Sequence, residues 1–145
     1  MKCPYLATDL IIEYNDGKKE GIVLIERRDP PYGIALPGGM AEYGLTLEEN
    51  AAKEGLEESG LEFIVENPGN PLCVRSKPDR DPRAHVVSVT YVGQGKGTLK
   101  AGDDAKAAGL YSIDEVIGLL DTAQFAFEDH KEIIRTFLKY RGYLK

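Results

Sequence analysis

The stretch GGMAEYGLTLEENAAKEGLEESGL, residues 38–61, decides how the chain begins to fold. Thr46 followed by Glu49 is a capping-box pattern, in which the threonine oxygen and the glutamate carboxylate satisfy backbone donors of a first helical turn. Gly60 has the residue type and place of a left-handed helix cap. The pattern predicts a helix over 46–59, preceded by a loop over 36–39.

Three glutamates crowd the second half of this predicted helix. Glu54, Glu57 and Glu58 stand at i,i+3 and i,i+4 spacing, which puts their carboxylates on one arc, about 5–6 Å apart. They repel one another and lie near the helix C-terminus, where the helix dipole disfavours negative charge. A solvated acidic face is the simplest interpretation. A bound hard cation, Mg²⁺ or Mn²⁺, is the interpretation that relieves the repulsion, because such cations prefer oxygen ligands.

Gly38 and Gly39 extend the predicted site. Backbone without side chains can approach the helix closely, so the Gly39 carbonyl can join the metal ligands and a peptide N–H can face a phosphate. On the other side of the helix, Ala52 and Leu56 are expected to pack inward. Gly55 costs about 1 kcal/mol relative to alanine in a helix interior, which favours a specific reason for its presence.

The remaining pattern alternates strands with helices. The Asn15-Asp16-Gly17 turn predicts a hairpin between two strands, and a glycine-rich loop is expected over 93–102. Strands and three helices at this length predict an α/β protein whose sheet is covered on its faces by helices. The predicted strands cover 7–14, 21–27, 61–65, 72–75 and 85–92, and the two later helices cover 113–120 and 128–141.

Composition limits the classes of function. A chain of 145 residues with 42% hydrophobic residues predicts one domain over 1–145. The net charge of −6, without a Lys/Arg cluster, argues against nucleic acid as a partner. The apolar runs are too short for a membrane span and no signal-type stretch follows Met1, so a cytoplasmic location is expected. Cys3 and Cys73 are expected to be free thiols.

The segment from Gly39 to Leu61 resembles the Nudix box, G-x5-E-x7-R-E-U-x-E-E-x-G-U, where U is aliphatic. Six of the nine fixed positions match, and the departures are Leu45, Lys53 and Gly55. The resemblance implies an α/β/α sandwich around a mixed sheet. It also implies a hydrolase of nucleoside diphosphates linked to another moiety, with Glu54, Glu57 and Glu58 holding the divalent ions. Lys53 is expected to pair with Glu49, one turn earlier, as a weaker brace than the family's arginine and glutamate.

Three further segments are similar to bacterial and archaeal ADP-ribose pyrophosphatases: 81–89, 101–105 and 125–130. With the box, this resemblance spans about residues 5 to 140 and implies cleavage of ADP-ribose to AMP and ribose 5-phosphate. Diadenosine polyphosphates, NADH and non-standard nucleoside triphosphates are alternative substrates within the family. A nucleotide-binding regulator that has lost turnover is the alternative outside the enzymes, supported by the three departures from the box. The family resemblance also allows a homodimer.

The catalytic and binding residues are predicted around the box. One of the three box glutamates is the expected general base, with Asp104, or its neighbour Asp103, as a second contributor from a loop that can close. Arginine binds phosphate by its forked donors, but each candidate here has a structural alternative: solvation for Arg27 and Arg28, and pairing with Asp79 or Asp81 for Arg83. His85 can reach the ligand or be structural, and His130 is expected to cap or pack. The predicted substrate-binding residues are Arg27, Arg28, Gly38, Gly39, Arg83 and His85.

Overall fold

A mixed β-sheet lies at the centre of the chain, in a computed structural model that describes residues 1–102 and 105–145. Within those residues there are eight strands and three helices, and no helix has the length and apolar character to cross a membrane. In chain order the elements are β1 (Tyr5–Asn15), β2 (Glu20–Arg27), β3 (Ile34–Ala35), β4 (Gly38–Met40), α1 (Leu47–Ser59), β5 (Glu62–Val65), β6 (Cys73–Arg75), β7 (Val86–Lys96), β8 (Ala105–Tyr111), α2 (Ile113–Thr122) and α3 (His130–Tyr140).

The sheet is mixed because two long strands that are distant in sequence run parallel. β1 pairs with β7 from Tyr5↔Val86 to Glu13↔Gln94, and the other strand pairings are antiparallel. The strand order is β3-β2-β1-β7-β5, with β4 on β1, β6 on β7 and β8 on β2. The predicted hairpin is confirmed, since β1 and β2 pair directly across the 16–19 turn.

Helices cover both faces of the sheet. Successive side chains of a strand point to opposite faces, so Leu10 and Ile12 of β1 pack with α1 and β5, whereas Ile11 packs with α2 and α3. The second face carries the larger core cluster, in which Ile133, Ile134, Phe137 and Leu138 of α3 are fully buried. The arrangement confirms the predicted α/β/α sandwich.

The helix α1 is capped as predicted but turns a different side to the core. Thr46 and Glu49 form both hydrogen bonds of the capping box, and Gly60 has a φ of 74°. The expectation that Ala52 and Leu56 pack inward is wrong: Leu56 is 58% exposed and Ala52 half-buried. The sheet requires small residues on the buried side. A β-carbon on Gly55 would lie 2.7 Å from the β-carbon of Phe63, which explains the glycine.

Two segments predicted as loops are strands. Gly38–Met40 forms β4 against β1, and β7 continues through Lys96 instead of ending before Gly93. Gly93 and Gly95 lie in the paired part of β7, where a β-carbon would come within 2.3 Å of the Ile64 carbonyl oxygen and 2.8 Å of Ile12, respectively. Close packing, not flexibility, therefore accounts for these glycines. The strand β8 was not predicted, because its residues Ala105–Tyr111 are rich in alanine and contain no β-branched residue.

Candidate active site

A cavity of about 380 Å³ opens where the C-terminal end of β2, the short strand β4 and the helix α1 meet. Its walls carry opposite charges. The acidic wall comes from α1, and the arginine wall comes from β2 and the segment 80–83, with Phe127 at its centre. Gly38 and Gly39 line the same cavity.

The acidic wall brings all three predicted box glutamates to one cavity. Glu54, Glu57 and Glu58 line it together, and Glu58 is buried, with 7% of its surface exposed. A β-carbon on Gly39 would lie 2.5 Å from the Glu54 carboxylate. The β4 backbone and the end of the Glu54 side chain are thus in close contact, so β4 and α1 form one wall.

Lys53 does not make the predicted pair with Glu49. Its ammonium lies 2.7 Å from Glu57 and 3.4 Å from Glu42, and the hydrogen bond to Glu57 raises the pKa of Lys53. Glu49 is engaged in the capping box instead, where its carboxylate accepts the Thr46 N–H at 2.9 Å. Lys53 therefore pairs with the glutamate on its C-terminal side, although the opposite order, with glutamate before lysine, is the more favourable one in a helix.

The acidic wall supplies the donor type that a hard divalent cation requires. It presents a buried Glu58 carboxylate beside Glu54, with the Gly39 backbone against it. Among residues 1–102 and 105–145, however, no three histidine, cysteine, aspartate or glutamate side chains already stand in an arrangement that could hold a metal. The donor chemistry fits, but these residues do not form a closed ligand cage, and Lys53 contacts one of the carboxylates.

The arginine wall is organised around one aromatic ring. The guanidinium carbons of Arg27, Arg80 and Arg83 lie 5.4, 5.8 and 5.6 Å from the Phe127 ring centroid, within the range of cation–π attraction. Arg80 is fixed by two hydrogen bonds to Asp129, of 2.6 and 3.0 Å. This wall is therefore held in place by contacts within the protein.

The other two arginines differ in how their charge is balanced. Arg83 makes two side-chain hydrogen bonds to Asp81, at 3.0 and 2.8 Å, which raise its pKa. Arg27 donates instead to the Pro31 carbonyl at 2.9 Å. Burial, followed by repulsion from Arg83, lowers the pKa of Arg27. Positive charge is thus disfavoured at Arg27, which an anionic ligand would relieve.

The structure brings some of the predicted binding residues together and places others elsewhere. Arg27, Arg83, Gly38 and Gly39 line the cavity. Arg28 lies 3.6 Å from Asp29, outside the lining residues. The His85 Nε2 lies 3.0 Å from the Ser76 carbonyl oxygen and is also outside that lining. Asp103 and Asp104 lie outside the described residues.

Several residues that line the cavity were not predicted as site residues, among them Asp9, Arg80, Phe127 and His130. Asp9 had a signal in the sequence, since it is a charged residue within the otherwise uncharged run 5–12 of a strand. Phe127 lies in the segment 125–130 that resembles ADP-ribose pyrophosphatases, but the resemblance did not single it out. Arg80 had no signal, because 47 positions separate it from Phe127 and only the fold brings them together. His130 is buried as expected of a packing residue, with 1% exposed.

An α/β/α sandwich with an acidic helix and a glycine strand at one cavity defines a class of protein, and the sequence comparisons identify it. The model of the NUDIX domain family matches residues 4–137. An ADP-ribose pyrophosphatase of Methanocaldococcus jannaschii is 39% identical over 142 residues, which is 96% of this chain and 76% of the relative. The chain belongs to the Nudix family.

Solved structures share the fold. A MutT/nudix family protein from Enterococcus faecalis has a TM-score of 0.76 at 30% identity, over 97% of this chain and 62% of that one. The NUDIX domain of Shewanella oneidensis NrtR, complexed with ADP ribose, has a TM-score of 0.78 at 19% identity, covering 97% and 90%. A Francisella tularensis bifunctional NMN adenylyltransferase/ADP ribose pyrophosphatase, complexed with AMP and a manganese ion, has a TM-score of 0.74 at 25% identity, covering 97% and 42%.

Proposed function

We propose that residues 1–145 form one Nudix hydrolase domain that cleaves ADP-ribose to AMP and ribose 5-phosphate with a divalent cation. The observation that carries this proposal is the meeting of two walls at one cavity, carboxylates on α1 and arginines around Phe127. A diphosphate needs both, because its charge must be neutralised and its position fixed before water can attack.

Glu54, Glu57 and Glu58, with the Gly39 carbonyl, would hold the cation, which we propose to be Mg²⁺ or Mn²⁺. When bound, such a cation neutralises diphosphate charge and makes a water molecule more acidic. The manganese in the Francisella structure supports a divalent metal. The burial of Glu58 at the cavity supports a ligand role, since it places a carboxylate, the donor type that hard divalent cations prefer, inside the site.

The chain's own groups would orient and deprotonate the attacking water. One box glutamate accepts the proton, with Asp104 as the proposed second contributor. Arg27 and Arg83 bind the phosphates, Gly38 and Gly39 present backbone N–H groups, and Arg28 and His85 stay proposed as outer contacts. The water oxygen bonds to one phosphorus and the bond from that phosphorus to the bridging oxygen breaks, which releases two monophosphates.

ADP-ribose is the proposed substrate because the Methanocaldococcus relative carries that activity in its name. The Shewanella NUDIX domain, whose structure is a complex with ADP ribose, supports the same choice. Diadenosine polyphosphates, NADH and non-standard nucleoside triphosphates are the alternatives. A small nucleotide, not nucleic acid, is thus the proposed ligand. The cytoplasmic location and the homodimer stay predictions.

A substrate panel tests the proposal. The protein is incubated with Mg²⁺ or Mn²⁺ and each candidate, and the products are separated by ion-exchange chromatography. ADP-ribose is expected to give AMP and ribose 5-phosphate at the highest kcat/KM, and an excess of EDTA is expected to stop the reaction. Faster hydrolysis of another compound would identify that compound, and not ADP-ribose, as the substrate. Turnover that persists in EDTA would contradict the metal role.

A regulator that binds without turnover is the second candidate, favoured by the contact between Lys53 and Glu57. That ion pair gives one box glutamate a protein cation as its partner. The same panel separates the two functions when binding is measured beside product release. Micromolar binding of ADP-ribose, with no AMP formed under any divalent metal, would favour the regulator.

A further inference from the structure

His130, the first residue of α3, is a buried polar group that the proposed chemistry does not use. It is 1% exposed, lines the cavity, and its ring centroid lies 5.0 Å from that of Phe127. Its position on a helix that packs against the far face of the sheet from α1 makes it a link between that helix and the cavity.

Hydrogen bonding defines which nitrogen of the His130 ring carries the proton. The Leu36 N–H donates to Nδ1 at 3.1 Å, so Nδ1 is the acceptor and the ring proton resides on Nε2. Nε2 lies 3.6 Å from the Asp9 carboxylate, which also accepts a hydrogen bond from the Ser88 hydroxyl. The ring is therefore oriented from both sides, by the Leu36 backbone and by the carboxylate on β1.

The segment 36–38 is fixed residue by residue. Leu36 is held by His130, and the Pro37 carbonyl accepts the Leu10 N–H at 2.8 Å. At Gly38 the backbone is so close to β1 that a β-carbon would lie 2.3 Å from the Thr8 carbonyl oxygen. No residue of this segment can move without breaking a hydrogen bond or a close contact.

The next residue in the chain meets the acidic wall. Gly39 packs against the Glu54 carboxylate, with only 2.5 Å to where a β-carbon would be. A displacement of Leu36 would therefore pass along a short, fully contacted segment to the position of the Gly39 backbone. On the side that packs against β1, close contacts transmit such a shift, while the other side of the segment faces the cavity.

We propose that His130 is a positioning residue: its Nδ1, by accepting the Leu36 N–H, holds the segment 36–39 so that the Gly39 backbone lies against the Glu54 carboxylate. Its part is to give the buried Leu36 N–H an acceptor, because an unsatisfied buried N–H would favour another backbone arrangement.

Three variants test this role in the metal-free protein. His130→Asn keeps an acceptor at the δ position, His130→Phe keeps the ring shape without an acceptor, and Phe137→Leu weakens the packing of the same helix but keeps the His130 acceptor. Amide hydrogen exchange by NMR gives the ratio of the Leu36 rate to the rate of Leu72, whose N–H donates to the Thr90 carbonyl outside the segment. His130→Phe is expected to raise this ratio about tenfold, whereas the other two variants keep it within about threefold.

Turnover supplies the second readout and is the only one that rests on the proposed function. His130→Phe is expected to lower kcat for ADP-ribose about tenfold with KM within about twofold, and His130→Asn to restore most of kcat. Phe137→Leu is expected to lower the melting temperature and leave kcat unchanged.

Two results would overturn the positioning role: an unchanged exchange ratio in His130→Phe, or a kcat loss in Phe137→Leu as large as in His130→Phe. If His130→Phe does not fold, His130→Gln replaces it. The same result is expected, because the glutamine amide reaches the position of Nε2 and not that of Nδ1, which accepts the Leu36 N–H. If wild type does not hydrolyse ADP-ribose, the proposed function fails, and the exchange ratio alone decides the positioning role.

Discussion

The two walls of the cavity are built in different ways. The acidic wall comes from one helix, is contiguous in sequence, and includes a carboxylate whose ion pair is with a half-exposed lysine. The arginine wall is assembled from three separate segments and is fixed by Asp129, Asp81 and the Phe127 ring. The arginine wall is thus organised by contacts within the protein, and under the proposed function a bound cation would organise the acidic wall.

Replacement of a buried acidic-wall carboxylate should have the largest effect. Glu58→Gln keeps the shape and removes the charge, so kcat for ADP-ribose should fall at least about a thousandfold, equivalent to about 4 kcal/mol of transition-state stabilisation. The rate of AMP release measures it.

The matched control lies on the same helix. Glu49→Gln keeps the capping box, because glutamine can fill the same role, and kcat should stay within about twofold. Equal losses in Glu58→Gln and Glu49→Gln would mean that the helix, not its metal-binding charge, is what matters.

Mutations that remove an ion pair of the arginine wall should lower the free energy of unfolding. Asp129→Ala leaves the Arg80 guanidinium, whose side chain is 4% exposed, without its ion pair, and should lower the free energy of unfolding by about 3 kcal/mol. Asp79→Ala breaks an exposed pair with Lys77 and should change it by no more than about 0.5 kcal/mol. Urea unfolding of both variants measures the difference. Similar values for the two would show that the wall is not preorganised.

The packing under the acidic wall can be tested with two glycines. Gly55→Ala gains helix propensity but forces a β-carbon against Phe63, so it should destabilise the protein by about 1–2 kcal/mol. Gly118→Ala on α2 meets no atom within 4 Å and should stabilise it by about 0.5–1 kcal/mol. Thermal unfolding measures whether each variant is more or less stable than the wild type. A stabilising Gly55→Ala would mean that α1 lies far enough from Phe63 to leave room for a β-carbon at this position.

Arginine geometry should give the smallest of these effects. Arg83→Lys keeps the charge but loses the forked donors and the stacking on Phe127, so KM for ADP-ribose should rise about fivefold with kcat within about twofold. Steady-state kinetics measure both constants. Arg135→Lys, at a surface ion pair with Glu132, is the control and should change neither. An unchanged KM in Arg83→Lys would remove Arg83 from the substrate contacts.

The different construction of the two walls also explains which parts of the site could be predicted from the sequence. The acidic wall is local, and the capping box, Gly60 and the glutamate spacing fix it within fifteen residues. The arginine wall depends on long-range packing, so Arg80 gave no pattern that could be found, and the resemblance of the segment 125–130 did not single out Phe127. Which side of α1 is buried was predicted wrongly, because the sheet beneath it admits Ala51 and Gly55 but not a larger side chain.

The strands show the same limit. The hairpin and β7 could be predicted from turn residues and β-branched residues. The strand β8 could not, because its alanine-rich sequence is held by pairing along β2 and not by its own propensity. Gly93 and Gly95 suggested a loop, whereas tight packing against β5 and β1 requires them within a strand.

Anomalous diffraction from crystals saturated with Mn²⁺ is the most direct test of the proposed cation site on α1. We expect a manganese peak bound by Glu54 and Glu58 carboxylate oxygens and the Gly39 carbonyl, and no peak in crystals of Glu58→Gln. No peak at α1 in the wild-type protein, or a peak that Glu58→Gln leaves unchanged, would contradict it.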